Sequence, residues 1–250
     1  MRVAIIGAGG VATSMVHALR DKCEISQVFS RELAKARRLA TVAGAEPIDR
    51  LELLRPDADV VIIAVKDDAI ASVIDRCPDG GALWLHTSGS TPIDVFAGHR
   101  RRYGVLYPMQ SFSPGLIVDM SETHFFVEAS DTDALRMTEH VARLMSAHVT
   151  QCDSRRRESL HIAAVFACNF ANHMWTLADE VMTDSHLPFE ALLPLIRSTV
   201  AKLDTLAPRQ SQTGPAARHD LTIVDRHLSR LDGRKRDIYN LLSQSIMNNG

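Results

Sequence analysis

The first half of the chain alternates short apolar runs with segments of helical periodicity. The apolar runs predict strands at Val3–Ile6, Ile25–Phe29, Asp59–Val65, Ala82–Leu85, Tyr103–Leu106 and, at a sheet edge, Phe125–Glu128. Helical spacing predicts helices at Val11–Leu19, Arg31–Ala43, Ala69–Ile74 and Asp133–Ala147. This alternation predicts an α/β fold, a Rossmann-type doubly wound parallel sheet with helices on both faces.

After about Thr150 the strand-like runs stop, and long helical patterns follow at Arg156–Thr183, Glu190–Ala207 and Leu221–Met247. We therefore predict two domains, an α/β domain over residues 1–150 and an all-helical domain over 151–250. The stretch Ser159–Ala178 holds 20 residues without a charged side chain, which is long enough to cross a bilayer. Its two histidines and two asparagines would be costly in lipid, so we interpret it as a buried helix and expect no membrane partner.

Composition narrows the class of protein. The 250 residues are 46% hydrophobic, with 28 basic and 30 acidic side chains and a net charge of -2, which excludes a disordered chain and disfavours a nucleic-acid partner. Three basic triplets, at residues 100–102, 155–157 and 234–236, are interpreted as solvated surface. The four cysteines lie far apart without a Cys-x-x-Cys pair, so we expect no metal site, no disulfide framework and a cytoplasmic location.

A glycine-rich segment directly follows the first predicted strand and opens the first predicted helix. It fits the pattern Gly-x-Gly-x-x-Ala, and its candidate cofactor-binding residues are Gly7, Gly9, Gly10, Val11 and Ala12. In this context the first glycine permits the tight turn, the second lets the backbone approach a pyrophosphate, and the helix N-terminus faces the phosphates. The segment predicts dinucleotide binding.

The end of the second predicted strand discriminates between the two nicotinamide cofactors. An NAD site places an acidic residue there, whereas this chain has Ser30 and Arg31. A hydroxyl and a guanidinium suit a 2′-phosphate, so we predict NADP(H). The alternative is that Ser30 caps the next helix and Arg31 is solvated.

Loops at the carboxyl ends of the later strands are expected to line the nicotinamide side of a cofactor site. The candidates are Ala64, Val65, Lys66 and Asp67 after one strand, and His86, Thr87 and Ser88 after the next. Tyr107–Phe112 follows a further strand. The alternative for each loop is ordinary turn chemistry, which also favours serine, threonine and glycine.

A polar stripe marks the helix predicted over Ser159–Asp179. At about 100° per residue, one narrow sector collects Glu158, His161, Asn169, Asn172, Thr176 and Asp179. Short polar side chains of this kind suit fixed hydrogen bonds in a partly closed cleft, or the satisfaction of buried backbone groups between packed helices. Within the stripe His161 is the best candidate for a general acid, and Asn169 of the stripe or Ser88 of the loop after Leu85 is the candidate orienting partner.

Seven motifs in order resemble a family of bacterial Rossmann-like proteins that carry a C-terminal helical domain of unknown function. They are the glycine loop, Ser30-Arg31, Ala-Val-x-Asp from Ala64, His-Thr-Ser-Gly-Ser from His86, Tyr-Pro-Met-Gln-Ser-Phe from Tyr107, the segment from His161 to Phe170, and Gly214-Pro-x-x-Arg-x-Asp. More distantly the layout is similar to pyrroline-5-carboxylate reductase, ketopantoate reductase and 6-phosphogluconate dehydrogenase. The chain departs from the family pattern at Lys66, Tyr107 and His219, where proline, histidine and glycine are usual.

The resemblance implies an NADP(H)-dependent oxidoreductase that acts on a small carbonyl, imine or hydroxy compound. It also implies a homodimer formed through the C-terminal helices, which the large apolar surface of the Ser159–Ala178 segment independently favours. Two alternatives stay open: a dinucleotide-binding sensor without turnover, and a deazaflavin-dependent NADP reductase.

Overall fold

The computed structural model describes residues 1–113 and 115–248 and divides the chain into two compact units, Met1–Asn169 and a second from Phe170 onward. The strands of the first unit form one eight-stranded sheet in the order β3-β2-β1-β4-β5-β6-β7-β8. Their bounds are β1 Arg2–Ile6, β2 Glu24–Phe29, β3 Glu46–Ile48, β4 Val60–Ile63, β5 Leu83–His86, β6 Tyr103–Met109, β7 His124–Ala129 and β8 Val149–Gln151. Among these paired strands only β6 and β7 run antiparallel, so the predicted doubly wound parallel fold is confirmed.

Both faces of the sheet are covered. The helices of this unit are α1 Gly10–Leu19, α2 Leu33–Ala43, α3 Ile70–Arg76, α4 Thr132–Arg143 and α5 Ser154–Ala164. In β1, Val3 and Ile5 pack into one apolar cluster with α1 and α4, whereas Ala4 and Ile6 pack into a second cluster with α3. Strands buried on both faces explain the nearly unbroken apolar runs in the sequence.

The sheet differs from the prediction at both ends. The sequence did not predict β3 and β8 because each has only three residues. β3 contains Pro47, and β8 contains the polar Thr150 and Gln151. β7 was expected at an edge, but it pairs with β6 on one side and with β8 on the other. The predicted domain boundary near residue 150 falls at the last strand, while the division into compact units follows α5.

The helix predicted over Arg156–Thr183 is three segments: α5, a π-helical turn at Val165–Phe170, and α6 over Ala171–Asp184. The remaining helices of the second unit are α7 Leu193–Ala201, α8 Pro208–Ser211, α9 Leu221–Leu228 and α10 Gly233–Asn248. The expectation of a buried helix is wrong for the single chain, since Ile162 is 54% and Trp175 38% exposed. Within the described residues, no helix combines the length and the apolar character needed to cross a bilayer.

Candidate active site

Four parallel strands end in one row across the sheet. The register pairs Ile6 with Phe29 and with Ile63, and Ile63 in turn with His86. The residues after these four are Gly7, Ser30, Ala64 and Thr87, each the start of a segment that the sequence singled out. The carboxyl edge of the sheet therefore brings together the glycine loop, the Ser30-Arg31 pair and the loops that follow β4 and β5. This edge is where open α/β sheets bind ligands.

Gly7 forms the turn between β1 and α1. Its φ is +131°, and a Cβ atom there would lie 2.1 Å from the carbonyl oxygen of Ala64. Its N–H donates to the carbonyl of Phe29 at 2.9 Å. Glycine is required at this position both for its backbone angle and for the close approach of β4.

Gly9 differs from Gly7 because nothing described lies within 4 Å of the Cβ it lacks. It is the N-cap of α1, and no described side chain caps the helix, so the first-turn N–H groups of Gly10, Val11 and Ala12 have neither a partner within the helix nor a side-chain cap. Ala12 is fully buried against the sheet. The loop thus offers an uncapped helix N-terminus with backbone at Gly9 that an anion can approach closely, a fit to the pyrophosphate of a dinucleotide.

Phe112 is a contact that sequence reasoning missed. A Cβ on Gly10 would lie 2.9 Å from the Cβ of Phe112, so the loop after β6 packs directly on the start of α1. That loop is also held by the N–H of Val118, which donates to the hydroxyl of Ser14 at 3.1 Å. Phe112 stands in the motif from Tyr107, but nothing in the sequence indicated that it packs on the glycine loop.

Ser30 and Arg31 lie at the end of β2, before α2. The N–H of Ser30 donates to Ile48 on the neighbouring β3, and its hydroxyl accepts from the N–H of Glu32 at 3.3 Å. Glu32 is the N-cap of α2 and pairs with Lys35 at 2.6 Å, which makes the predicted start of this helix two residues early. The side chain of Arg31 is exposed next to the row of strand ends.

Two of the loops at this edge are tied together. The hydroxyl of Ser90 donates to the carboxylate of Asp67 at 2.6 Å. The hydroxyl of Ser88 accepts from the N–H groups of Ser90 and Thr91, at 3.2 and 2.9 Å. The Ser88 and Ser90 hydroxyls also lie 3.5 Å apart, and because the single proton of Ser90 goes to Asp67, Ser88 is the donor in this long hydrogen bond. In the other loop Lys66 is exposed, whereas Val65 packs partly against the apolar core.

His86 does not reach the surface of the site. Its side chain is fully buried and stacks on Phe96, with ring centroids 5.6 Å apart. Nδ1 accepts from the N–H of Ser88 at 3.2 Å, and Nε2 has no partner among the described residues. Burial lowers the pKa of His86 from 6.5 to about 3, so the imidazole is neutral. The imidazole of His86 therefore orders the turn to Ser88, and only the backbone of this position lies at the edge with Thr87.

His161 packs against this edge from α5. Its Nδ1 lies 3.2 Å from the hydroxyl of Tyr107, and the two rings meet edge-on. A Cβ on Gly89 would lie 2.7 Å from Nδ1 of His161 and 2.9 Å from Cζ of Tyr107. Burial raises the pKa of Tyr107, so its phenol stays protonated. The structure thus brings His161 to the loop of Ser88 and to Tyr107, and gives the imidazole no contact with His86.

Arg157, one turn before His161, anchors α5. Its guanidinium is 1% exposed, pairs with Glu128 of β7 and donates to the carbonyl of Thr91 at 2.6 Å. Ser154 strengthens the same junction, since its hydroxyl donates to Glu128 and accepts from the N–H of Ile93. The interpretation of the 155–157 triplet as solvated surface is therefore wrong for Arg157, which is buried and positions the helix that carries His161.

The predicted polar stripe crosses the π-helical turn. A π turn has more residues per turn than an α-helix, so an angle of 100° per residue does not hold through Val165–Phe170. Asn169 lies in this turn with an exposed side chain, at the end of the first unit. The stripe of six residues is thus not one face of a regular helix, although π turns are often found at functional sites.

Among the described residues, no three histidine, cysteine or acidic side chains gather where they could hold a metal ion. Cys23, Cys77, Cys152 and Cys168 are all free thiols.

Two family models match the chain. The model described as NADP oxidoreductase coenzyme F420-dependent matches residues 2–83, and the Domain of unknown function (DUF2520) matches residues 123–246. A curated shikimate dehydrogenase (NADP(+)) from Ignicoccus hospitalis is 48% identical over 46 residues, a match that spans only 17% of that relative's length.

Solved structures match over nearly the whole chain. A candidate NADP oxidoreductase from Bacteroides fragilis is 41% identical, with a TM-score of 0.91 over 99% of this chain and 98% of that one. A reductive aminase from Aspergillus terreus, solved with NADPH and ethyl-5-oxohexanoate, is 14% identical with a TM-score of 0.74 over 100% and 94%. A pyrroline-5-carboxylate reductase from Coxiella burnetii is 19% identical with a TM-score of 0.59 over 99% and 96%. The last two share the fold alone. The first shows that the chain belongs to the family predicted from its motifs, NADP-dependent oxidoreductases with a C-terminal domain of unknown function.

Proposed function

We propose that this protein transfers a hydride between NADP(H) and a small carbonyl, imine or hydroxy compound, with His161 as the proton donor. The observation that carries the proposal is the contact of His161 with Gly89 and Tyr107. Through this contact, a side chain suited to acid–base catalysis packs against a loop at the carboxyl edge of the sheet. The glycine loop lies at the same edge. Hydride chemistry is supplied by the nicotinamide, and the protein contributes position and electrostatics.

The proposed cofactor site follows the row of strand ends. The pyrophosphate lies on the first turn of α1, cradled by Gly7, Gly9, Gly10, Val11 and Ala12. The open space beside Gly9 supports this assignment. The 2′-phosphate is held by Ser30 and Arg31, and the exposed guanidinium supports this second assignment. The nicotinamide is flanked by the loop of Ala64, Val65, Lys66 and Asp67 on one side. On the other side it is flanked by the backbone at His86 and by Thr87 and Ser88.

The proposed proton step uses three side chains. His161 gives a proton to the developing oxygen or nitrogen anion of the substrate. Ser88, whose proton is engaged only by the 3.5 Å contact with the hydroxyl of Ser90, turns that proton to the same atom and orients it by a hydrogen bond. Asn169 provides a further amide for orientation, which its exposed position in the π turn supports. In the oxidative direction His161 accepts the proton instead.

We further propose that the protein forms a homodimer through the helical unit. We also propose that it is located in a reducing cytosol. In that unit an apolar groove of about 370 Å³ lies between α6 and α10, and Leu195 and Leu241 are more than 60% exposed. Apolar surface of this kind favours burial against a second copy. The free thiols support the compartment. Sedimentation equilibrium tests the dimer, which predicts twice the mass of the chain.

A deazaflavin-dependent reductase is the second candidate function, because the family model that carries this description matches residues 2–83. In that reaction NADP(H) is one substrate and a deazaflavin is the other. This candidate would be favoured if an oxidised deazaflavin supports the oxidation of NADPH and carbonyl or imine compounds do not.

The experiment that tests the proposal is a paired titration of the purified protein with NADPH and NADH, followed by fluorescence and checked by calorimetry. We expect micromolar binding of NADPH and much weaker binding of NADH. Carbonyl and imine compounds are then screened with NADPH, and His161→Ala is compared with the wild type. The proposal expects turnover to fall by about 10²-fold or more, with NADPH affinity unchanged. Binding of NADPH without any turnover would instead favour a dinucleotide-binding sensor.

A further inference from the structure

The hydroxyl of Tyr107 has two hydrogen-bond contacts in the described part of the chain. One is Nδ1 of His161 at 3.2 Å, and the other is the sulfur of Met109 at 3.5 Å. A thioether sulfur can only accept a hydrogen bond, whereas a phenol can donate one and also accept. The phenol has a single hydrogen, so both contacts are hydrogen bonds only if that hydrogen points to Met109. The oxygen of Tyr107 then accepts from an N–H at Nδ1 of His161.

We propose that Tyr107 is a positioning residue that holds His161 in its Nδ1–H tautomer, so that Nε2 is the atom that gains and loses the proton. The role of Nε2 as the atom that exchanges a proton with the substrate rests on the proposed function of His161. Tyr107 contributes one acceptor atom, and Met109 contributes the acceptor that turns the phenol hydrogen away from the imidazole.

The surroundings of the pair support a fixed geometry. Tyr107 is 8% exposed and lies within β6, two residues before its end, and burial keeps its phenol protonated. Gly89 packs against both rings, so the imidazole has little room to turn over. On the helix side, Arg157 fixes α5 one turn earlier through Glu128 and Thr91. Tyr107 and Gly89 therefore hold the Nδ1 side of the ring while Arg157 fixes the helix that carries it, which leaves Nε2 as the reactive nitrogen.

This arrangement serves both protonation states of His161. In the imidazolium, Nδ1–H donates to Tyr107 and Nε2–H is the proton that a substrate receives. After that transfer the neutral ring keeps the same Nδ1–H bond, and Nε2 is free to be protonated again from solvent. No side chain has to rotate between the two states, so the site costs no reorganisation at the moment of transfer.

The test is nitrogen NMR of the ¹⁵N-histidine-labelled full chain without substrate, at about pH 8.5, above the ordinary range of imidazole. Long-range nitrogen–proton correlations report whether Nδ1 or Nε2 carries the proton, and His161→Gln assigns the signal. We expect Nδ1–H for His161 in the wild type. Tyr107→Phe removes the acceptor, and Met109→Leu releases the phenol hydrogen toward Nδ1. Both variants are expected to move His161 to Nε2–H.

The matched control is Tyr103→Phe, which removes a hydroxyl from the same strand β6 without touching His161, and leaves the tautomer unchanged. A wild-type signal of Nε2–H overturns the proposal, as does a Tyr107→Phe signal identical to that of the wild type in a protein that keeps its NADPH affinity. These readouts need no turnover, so they separate the two proposals. If His161→Ala retains full turnover, the proposed function fails while the tautomer result stands.

Discussion

The guanidinium of Arg157 lies 2.5 Å from a carboxylate oxygen of Glu128, and the pair joins α5 to the sheet. The arginine side chain is 1% exposed and the glutamate 18%. A charge buried to this degree is stable only while its partner is present.

Arg157→Met is therefore expected to lower the free energy of unfolding by about 3 to 5 kcal/mol, because Glu128 is left without its counter-charge. Urea denaturation measures the change. Arg155→Met, two residues earlier on the exposed side of α5, serves as the control and is expected to change stability by less than about 0.5 kcal/mol. Equal effects of the two variants would show that the Arg157 pair does not hold the helix.

Gly7 and Gly9 are predicted to respond to alanine in opposite ways. Gly7→Ala meets the carbonyl of Ala64 and a φ of +131°, so we expect a protein that fails to fold or loses more than about 2 kcal/mol. Gly9→Ala meets no described atom within 4 Å, and its φ of -86° suits any residue. It is expected to keep the wild-type melting temperature and to weaken NADPH binding at least about tenfold, or 1.4 kcal/mol.

Calorimetric titration of NADPH into folded Gly9→Ala checks the second half of this prediction. Wild-type affinity in that variant would contradict the assignment of the pyrophosphate to the first turn of α1.

Arg31→Ala is expected to weaken NADPH binding by about 10- to 100-fold, since a charge-assisted hydrogen bond contributes about 1.5–3 kcal/mol. NADH lacks the 2′-phosphate, so its affinity should stay the same. Arg37→Ala removes an equally exposed arginine from α2 and is the matched control. Parallel losses for both cofactors, or a loss with Arg37→Ala as well, would argue against a specific contact between Arg31 and the 2′-phosphate.

His86 is predicted to make the fold sensitive to acid. Burial lowers its pKa from 6.5 to about 3, so below pH 6.5 the unfolded chain binds a proton that the folded chain excludes. The stability that His86 contributes is therefore complete above about pH 6.5 and is lost as the pH falls toward 3. At pH 5 the loss amounts to about 2 kcal/mol.

The variant His86→Asn keeps an acceptor for the N–H of Ser88 but does not titrate. Its stability, measured by denaturation at pH 7 and pH 5, should fall less than that of the wild type over this interval. The control is His140→Gln, at an exposed histidine of α4, and it should keep the wild-type pH dependence. An unchanged slope in His86→Asn would mean that the buried imidazole is not responsible.

The sequence predicted the parts of this protein that depend on local chemistry. The glycine loop, the strand ends and Ser30-Arg31 could all be placed because strand periodicity and turn residues are local signals. Arg157 could not be identified as buried, since it stands in a run of three arginines and its partner Glu128 is 29 positions away. The contact of Tyr107 with His161 escaped for the same reason, as the two are 54 positions apart.

The helical region shows a different limit. The polar stripe predicted over Ser159–Asp179 requires one α-helical period throughout, and the π turn at Val165–Phe170 interrupts that period. A π turn arises from one additional residue accommodated within a helix, and apolar periodicity carries no clear mark of it. The side chains up to Ala164 keep the predicted spacing, whereas those after the turn do not.

Gly89 imposes a steric constraint that should be visible when related sequences are compared. Any side chain at this position would push apart the rings of His161 and Tyr107, so glycine has to be inherited together with His161 and with a planar ring at position 107, whether tyrosine or histidine. A lineage that replaces the glycine has no steric reason to keep two rings in contact. Across relatives, a residue larger than glycine at position 89 should therefore occur together with the loss of His161 or of the ring at position 107.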